Sequence, residues 1–163
     1  MATANLEQRV QELEAKIQEL EDRSAIQTLR FRFHECVNEK RPEAIGDLFS
    51  NNAELNYAHL GQVTGREKIT KFFEKGLSEL VPFVKQYLHN HIVTVKGDSA
   101  TGLSYLEATP VHKNESYLVA AKFEDEYVKE NGRWCFKKVT LTPYFMVPLK
   151  EGWAQEDPIK MGR

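Results

Sequence analysis

Between residues 6 and 20, an apolar side chain recurs every three or four positions. The residues in this series are Leu6, Val10, Leu13, Ile17 and Leu20. Their spacing is that of a heptad repeat, and β-branched residues at its a positions with leucine at its d positions favour a parallel two-stranded coiled coil. An amphipathic helix lying on its own or a neighbouring domain would show the same pattern. Isolated helices of this length are marginally stable, so we do not expect this helix to be the only assembly contact.

Charged residues flank this apolar series on both sides. In a parallel pair of helices, Arg9 would meet Glu14 of a second copy, and Lys16 would meet Glu21. An antiparallel pair would instead bring like charges together. The pattern therefore predicts a homo-oligomer in which residues 1–23 form an amphipathic or coiled-coil helix.

A second helical series follows Arg23. Its apolar members are Ile26, Leu29, Phe33 and Val37. Pro42 opens the next segment. Apolar spacing then predicts a short helix for "PEAIGDLF", a strand for "NAELNY" and an amphipathic helix for "GREKITKFFEKGLSEL".

The second half of the chain alternates between apolar and polar residues. Four strands are predicted, at "YLHNHIVTV", "ATGLSYLEAT", "SYLVAAKFEDEYVKE" and "RWCFKKVTLTPYFMV". Asn131-Gly132 lies between the last two and is typical of a type I′ hairpin turn, in which both central residues have positive φ. Helices followed by an antiparallel meander predict an α+β domain over residues 24–153. Residues 154–163 are expected to form a polar, frayed tail.

Composition narrows the class of protein. A chain of 163 residues with 41% hydrophobic content is long enough for one compact domain. The 22 basic and 24 acidic residues leave a net charge of -2 and form no cationic block, so we expect no nucleic-acid partner. The sequence has neither a signal-peptide pattern nor an apolar run of membrane-spanning length, which predicts a cytoplasmic protein with no membrane contact. The two cysteines form no metal-binding or disulfide pattern.

Three stretches together resemble a known family. They are "AIQTLRFRFHECVNEKRPEAIGDLF", "VTVKGDSATGLSYL" and "AAKFEDEYVKENGRWCFKKVTLTPYFMVPLKEGW". Their order and spacing resemble the SnoaL-like branch of the nuclear transport factor 2-like superfamily, which includes scytalone dehydratase, bile acid 7-alpha-dehydratase and hexachlorocyclohexane dehydrochlorinase. The resemblance implies a cone-shaped α+β barrel, in which a curved antiparallel sheet wraps around helices. It also implies a deep apolar pocket suited to a small hydrophobic molecule, and relatives that assemble as trimers, so a dimer or a trimer is expected here.

The same resemblance implies positions for the functional residues. The family's aspartate falls on Asn38, its tyrosine or lysine on Phe33, its histidine on Gln86 and its pocket tyrosine on Tyr57. Asn38 and Gln86 cannot ionise near neutral pH, so they can orient a ligand by hydrogen bonds but cannot act as a base. The usual His-Asp dyad is therefore replaced.

Two histidines, His89 and His91, lie two residues apart in a predicted strand and so share one face. If Gln86 and Asn90 point into the pocket, alternation sends both histidines to the opposite face, unless a bulge intervenes. They can be structural rings, a substituted base in the pocket, or metal ligands. A metal would need a third ligand such as His34 or His112, and we expect none; His34 itself is predicted to be an exposed residue of its helix.

Asp125 and Tyr127 share one face of a later strand. They would be an acid or a hydrogen-bonding pair if that face is inward, and a surface pair if it is outward.

These residues suggest an enzyme of the lyase or isomerase type that acts on a hydrophobic, oxygenated cyclic compound, with no cofactor. The catalytic candidates are Tyr57, His89, His91 and Asp125, and the substrate-binding candidates are Phe33, Asn38, Gln86, Asn90 and Tyr127. One alternative is a binding protein that keeps the pocket without the dyad. Another is an oligomeric interaction module centred on the N-terminal heptads.

Overall fold

The structure is a computed structural model, and it describes residues 2–154 and 157–161. The helices are α1 (Ala2–Asn38), α2 (Pro42–Ile45), α3 (Arg66–Lys71) and α4 (Ser78–Leu80). Short 3₁₀ turns lie at Gly46–Leu48 and Ala58–Leu60, and the π-helical segment Phe72–Leu77 joins α3 to α4. The two helices predicted on either side of Arg23 form one continuous helix. No helix in the described part of the chain is long and apolar enough to cross a membrane.

The strands form one curved, open sheet. They are β1 (Phe49–Asn56), β2 (Gln62–Thr64), β3 (Gln86–Lys96), β4 (Ser99–Ala108), β5 (Val111–His112), β6 (Glu115–Glu130) and β7 (Arg133–Pro148). The order across the sheet is β2-β1-β7-β6-β4-β3, with β5 paired to β6. Only the β1–β7 pair is parallel among the described strands. The predicted α+β architecture with a curved sheet around helices is confirmed.

The β6–β7 hairpin closes at the predicted turn. Asn131 has a φ of 52° and Gly132 a φ of 76°, and the flanking residues Glu130 and Arg133 are paired across the sheet. Both central residues have the positive φ that a type I′ turn requires. The prediction of this hairpin is confirmed.

The core lies between α1 and the concave face of the sheet. Phe33 of α1 is fully buried and meets the rings of Phe49, Phe123 and Phe136 edge-on, at centroid distances of 5.8–6.2 Å. Edge-to-face packing at these distances is favourable for aromatic rings. Phe33 is therefore a central packing residue of the domain.

The first part of α1 does not pack on the domain. Every residue from 5 to 21 is exposed, including the five apolar residues of the heptad series. This excludes the alternative in which the amphipathic helix lies on its own domain.

The C-terminal segment is more ordered than its polar composition predicts. Met146 of β7 donates its N–H to Pro158 O at 2.7 Å, and Lys160 donates its N–H back to Met146 O at 2.8 Å. Met161 is buried, and its carbonyl oxygen lies 2.6 Å from His59 Nε2. The expected fraying is therefore wrong for residues 157–161, because they extend the sheet at β7 and bury an apolar side chain; residues 155, 156, 162 and 163 lie outside the described residues.

Candidate active site

A bulge in β3 sets which of its side chains face the interior. The pairing of β3 with β4 shifts register between Leu88 and His91. Gln86 is buried before the bulge, and Val93 is buried after it, although the two residues are seven positions apart. The extra residue reverses the alternation, so His91 turns towards the interior. The expectation that unbroken alternation places His91 on the outer face is therefore wrong.

Asn90 and His89 lie on the outer side of the bulge. Both are exposed, and His89 Nε2 lies 3.7 Å from Glu107 Oε2 in an ion pair that is half open to solvent. The expectation that Asn90 points inward with Gln86 is wrong, because the bulge separates them. Neither Asn90 nor His89 borders the interior.

His91 belongs to a buried polar chain that begins on α1. Arg30 Nε donates to Asp125 Oδ2 at 3.0 Å, and an Arg30 Nη2–Asp125 Oδ1 contact completes a two-point ion pair with both side chains fully buried. Tyr127 Oη donates to Asp125 Oδ2 at 2.8 Å and lies 3.2 Å from His91 Nε2. Because the only Tyr127 hydroxyl proton is used on Asp125, His91 Nε2 must carry the proton that it shares with Tyr127. We name Arg30, Asp125, Tyr127 and His91 the arginine cluster.

The guanidinium of Arg30 is also surrounded by aromatic rings. Its Cζ lies 5.0 Å from the Phe33 centroid, 4.4 Å from the Phe123 centroid and 4.5 Å from the Phe136 centroid. Ring faces attract a cation, and this partly replaces the water that Arg30 has lost. Burial raises the pKa of Asp125, and the nearby charge of Arg30 and the hydrogen bonds that the carboxylate accepts from Arg30 and Tyr127 act in the opposite direction. Burial and the charge of Asp125 raise the pKa of Tyr127 well above its ordinary value, so its hydroxyl keeps its proton.

Gly102 of β4 makes room for this cluster. A β-carbon at this position would lie 2.8 Å from His91 Nε2 and 2.9 Å from Tyr127 Cε2. Such contacts are shorter than real β-carbon contacts, so a side chain at position 102 would force the His91 or Tyr127 side chain to shift.

A second polar group joins the end of α1 to the start of β3. Asn38 Nδ2 donates to Gln86 O at 2.9 Å, and Gln86 donates its N–H to Asn38 Oδ1 at 2.7 Å. His34 Nδ1 lies 2.8 Å from Gln86 Oε1 and donates to it. The positions to which the family resemblance assigns an aspartate and a histidine are thus in direct contact. We name His34, Gln86 and Asn38 the glutamine group.

His34 was predicted to be exposed, and this is wrong: its side chain is 3% exposed. Burial and the nearby charge of Arg30 lower its pKa to about 3, so the ring is neutral at physiological pH. With Nδ1–H held by Gln86, the lone pair is on Nε2, which has no hydrogen-bond partner among the described residues. Burial and Arg30 likewise lower the pKa of His91 to about 4.

Tyr57 and Gln86 both border a small cavity of about 40 Å³. Apart from Tyr57 and Gln86, the described wall consists of the apolar residues Leu60, Leu77, Val81, Val84, Leu106, Ala108, Pro110, Val119, Leu141, Met146 and Met161. The Tyr57 hydroxyl forms no hydrogen bond of regular geometry with a described residue. Burial raises its pKa far above the ordinary value, and the nearby Gln86 amide acts in the opposite direction.

The remaining candidates do not meet at this cavity. Phe33, Asn38, His91, Asp125 and Tyr127 do not line it. His112 donates from Nδ1 to Leu80 O at 2.9 Å. Within the described ranges, no three His, Cys, Asp or Glu side chains are placed to hold a metal ion.

The sequence profile of the SnoaL-like domain matches residues 18–140. The chain belongs to the SnoaL-like domain family. Solved structures share its fold: a scytalone dehydratase-like protein from Novosphingobium aromaticivorans is 22% identical with a TM-score of 0.72, and the alignment covers 89% of this chain and 96% of that one. Hexachlorocyclohexane dehydrochlorinase LinA-type3 from Novosphingobium barchaimii is 23% identical with a TM-score of 0.77, covering 82% and 94%.

A protein described as nuclear transport factor 2-like with a cystatin-like fold, from Novosphingobium aromaticivorans, is 18% identical with a TM-score of 0.73, covering 81% of this chain and 88% of that one. At such identities the likeness establishes the fold. The predicted membership of the SnoaL-like branch is confirmed. The roles of individual residues in this SnoaL-like protein rest on its own geometry.

Proposed function

We propose that this SnoaL-like protein is a small-molecule enzyme of the lyase or isomerase type, and that its substrate is a hydrophobic cyclic compound bearing a carbonyl oxygen. The dehydratase and dehydrochlorinase names of its structural neighbours support chemistry of this class. The observation that carries the proposal is the placement of Tyr57 and Gln86 in an otherwise apolar cavity wall, with His34 directly behind Gln86.

The hydrogen bonding of Gln86 supports a carbonyl ligand. Its Oε1 is occupied by His34, so its amide NH₂ is the end available to a ligand. Tyr57 supplies a second donor, because its raised pKa keeps the hydroxyl protonated. Two donors that converge on one oxygen stabilise the negative charge that develops when the adjacent carbon loses a proton.

His34 is the proton acceptor in this proposal. Its Nε2 lone pair is unused, and Gln86 holds the ring in one tautomer, as a general base requires. The low pKa of His34 reflects burial beside Arg30. A developing enolate would supply a nearby negative charge and so raise the proton affinity of the ring during the reaction.

Binding must enlarge the cavity. Ligand sites usually measure about 300–1,000 Å³, against about 40 Å³ here. His34 does not line the cavity as it stands, so the substrate must bring its reacting carbon past Gln86. Met161, an unbranched side chain in the wall, is the element that we expect to move.

The test measures proton abstraction directly. The purified protein is incubated in D₂O with cyclic ketones and lactones that do or do not carry a β-hydroxyl or β-halide, and the recovered compounds are weighed by mass spectrometry. We expect deuterium next to the carbonyl, and loss of water or halide where a leaving group is present. His34→Asn should abolish exchange while retaining binding in a thermal-shift assay.

Two tyrosine variants provide the matched comparison. Tyr57→Phe should weaken both binding and exchange, whereas Tyr144→Phe, on the exposed face of the sheet, should change neither. Exchange that survives His34→Asn at the wild-type rate would overturn the role of His34.

A binding protein is the second candidate. One observation favours it: Tyr57 is the only titratable side chain in the described wall of the cavity. This function predicts thermal stabilisation by a ligand that is recovered unaltered, without deuterium, from every incubation.

A further inference from the structure

The N-terminal part of α1 leaves the domain as a single helix. From residue 5 onward, Asp22 is the first buried residue, and Asp22 Oδ1 accepts from Lys129 Nζ and from Trp134 Nε1, both at 2.7 Å. Residues 5–21 lie beyond this contact and are all exposed. We name them the N-terminal arm; at 1.5 Å per residue it is about 25 Å long.

The arm carries a continuous apolar stripe. Leu6 is 63% exposed, Val10 45%, Leu13 52%, Ile17 56% and Leu20 64%. No described part of the same chain covers them. A contiguous apolar surface of this kind marks an interaction site.

The stripe faces away from the domain. At about 100° per residue, it lies on the side of α1 roughly opposite the buried residues Ile26, Phe33 and Val37. Ser24 and Phe31 continue the same side and are exposed, Phe31 by 61%. A second helix can therefore approach the stripe without meeting the domain to which the arm belongs.

We propose that the arm pairs with the arm of a second copy of this chain, as a parallel two-stranded coiled coil. The charges beside the stripe favour a second copy of the arm as the partner, in the parallel orientation. Arg9 and Lys16 lie on one side of the stripe, and Glu14 and Glu21 on the other. None of these four side chains forms an ion pair within the described chain.

In a parallel pair, each basic residue meets a glutamate of the partner five positions further along. In an antiparallel pair, basic residues face basic residues and glutamates face glutamates. Val10 and Ile17 at the a positions, with leucines at d, also favour two strands. The parallel arrangement places both domains at the same end of the coiled coil.

Light scattering on the full-length protein tests the pairing. We expect a mass of at least twice 18.8 kDa for the wild type and a smaller mass for the double variant Leu13→Gln/Ile17→Gln, which loses the contact between the arms. Ala15→Gln, on the opposite side of the arm, is the matched control and should keep the wild-type mass. All three side chains are exposed, so the domain should unfold at an unchanged temperature. A monomeric wild type, or a mass that Leu13→Gln/Ile17→Gln leaves unchanged, would overturn the proposal.

Engineered disulfides test the orientation. Val10→Cys should form a disulfide-linked dimer under mild oxidation, because a parallel pair brings the two copies of residue 10 together. An antiparallel pair would instead set residue 10, an a position, opposite a d position of the partner, Leu13 or Leu20. A disulfide that forms only when the Val10→Cys protein is mixed with the Leu13→Cys or the Leu20→Cys protein would overturn the parallel arrangement.

Discussion

His34 is buried and neutral, and we predict that this makes the protein less stable in acid. Burial and the charge of Arg30 lower its pKa from 6.5 to about 3 in the folded state. In the unfolded chain the imidazole returns to its ordinary pKa, so it binds a proton once the pH falls below about 6.5. The folded protein binds that proton only near pH 3. Because the unfolded state takes up the proton first, the free energy of unfolding falls as the pH drops from 6.5 towards 3.

The size of this effect follows from the two pKa values. One pKa unit corresponds to about 1.4 kcal/mol. At pH 5 the unfolded imidazole is almost fully protonated and the folded one almost fully neutral, so His34 lowers the free energy of unfolding by about 2 kcal/mol relative to pH 7.5. Total stabilities are about 5–15 kcal/mol, so this loss is easily measured. His91 acts in the same direction, since its pKa is also lowered.

Urea unfolding at pH 7.5 and pH 5 tests the prediction with His34→Asn. Asparagine keeps a donor for Gln86 Oε1 and does not titrate, so the wild type should lose about 2 kcal/mol more than the variant between the two pH values. Because each protein is compared with itself at the two pH values, the loss of stability that the smaller Asn side chain causes at both pH values cancels. His89→Asn, at an exposed histidine, is the control and should keep the wild-type pH dependence. Equal losses in the wild type and His34→Asn would show that His34 is not buried in its neutral form.

Two further substitutions test the arginine cluster by urea unfolding. Gly102→Ala would place a methyl carbon 2.8 Å from His91 Nε2, and we expect a loss of about 1–3 kcal/mol; Gly76→Ala, whose methyl carbon would come no closer than 3.8 Å to a neighbour, should cause no loss. Asp125→Asn leaves Arg30 buried without a charged partner, and we expect a loss of about 3–5 kcal/mol. A loss below about 1 kcal/mol would contradict a desolvated ion pair.

Local patterns in the sequence predicted much of the fold, because each depends on residues that are neighbours in the chain. The apolar spacing in α1 gave the buried stripe of Ile26, Phe33 and Val37, and Asn131-Gly132 gave the hairpin. The short strands β2 and β5 were not predicted, since two or three residues carry too little alternation to identify a strand.

The bulge in β3 could not be predicted from the alternation of apolar and polar residues. An extra residue is a property of the pairing between β3 and β4, and no residue within "YLHNHIVTV" identifies it. A shift of one position exchanges the two faces of a strand. This is why the inward side chain is His91 rather than Asn90, and why the site could not be assigned from alternation alone.

In the arginine cluster, the need of a buried arginine for a partner determines which face of β6 points inward. Arg30 lies four residues after Ile26 and three before Phe33, so helical spacing places its charge on the buried face of α1. A buried charge requires a partner, and the inner face of β6 provides Asp125 only if Tyr127 also faces inward. The requirement that Arg30 be paired therefore selects the inward alternative for both residues of β6. His34 and Gln86 could not be paired from the sequence in this way. Both side chains are uncharged, so neither requires the other as a partner.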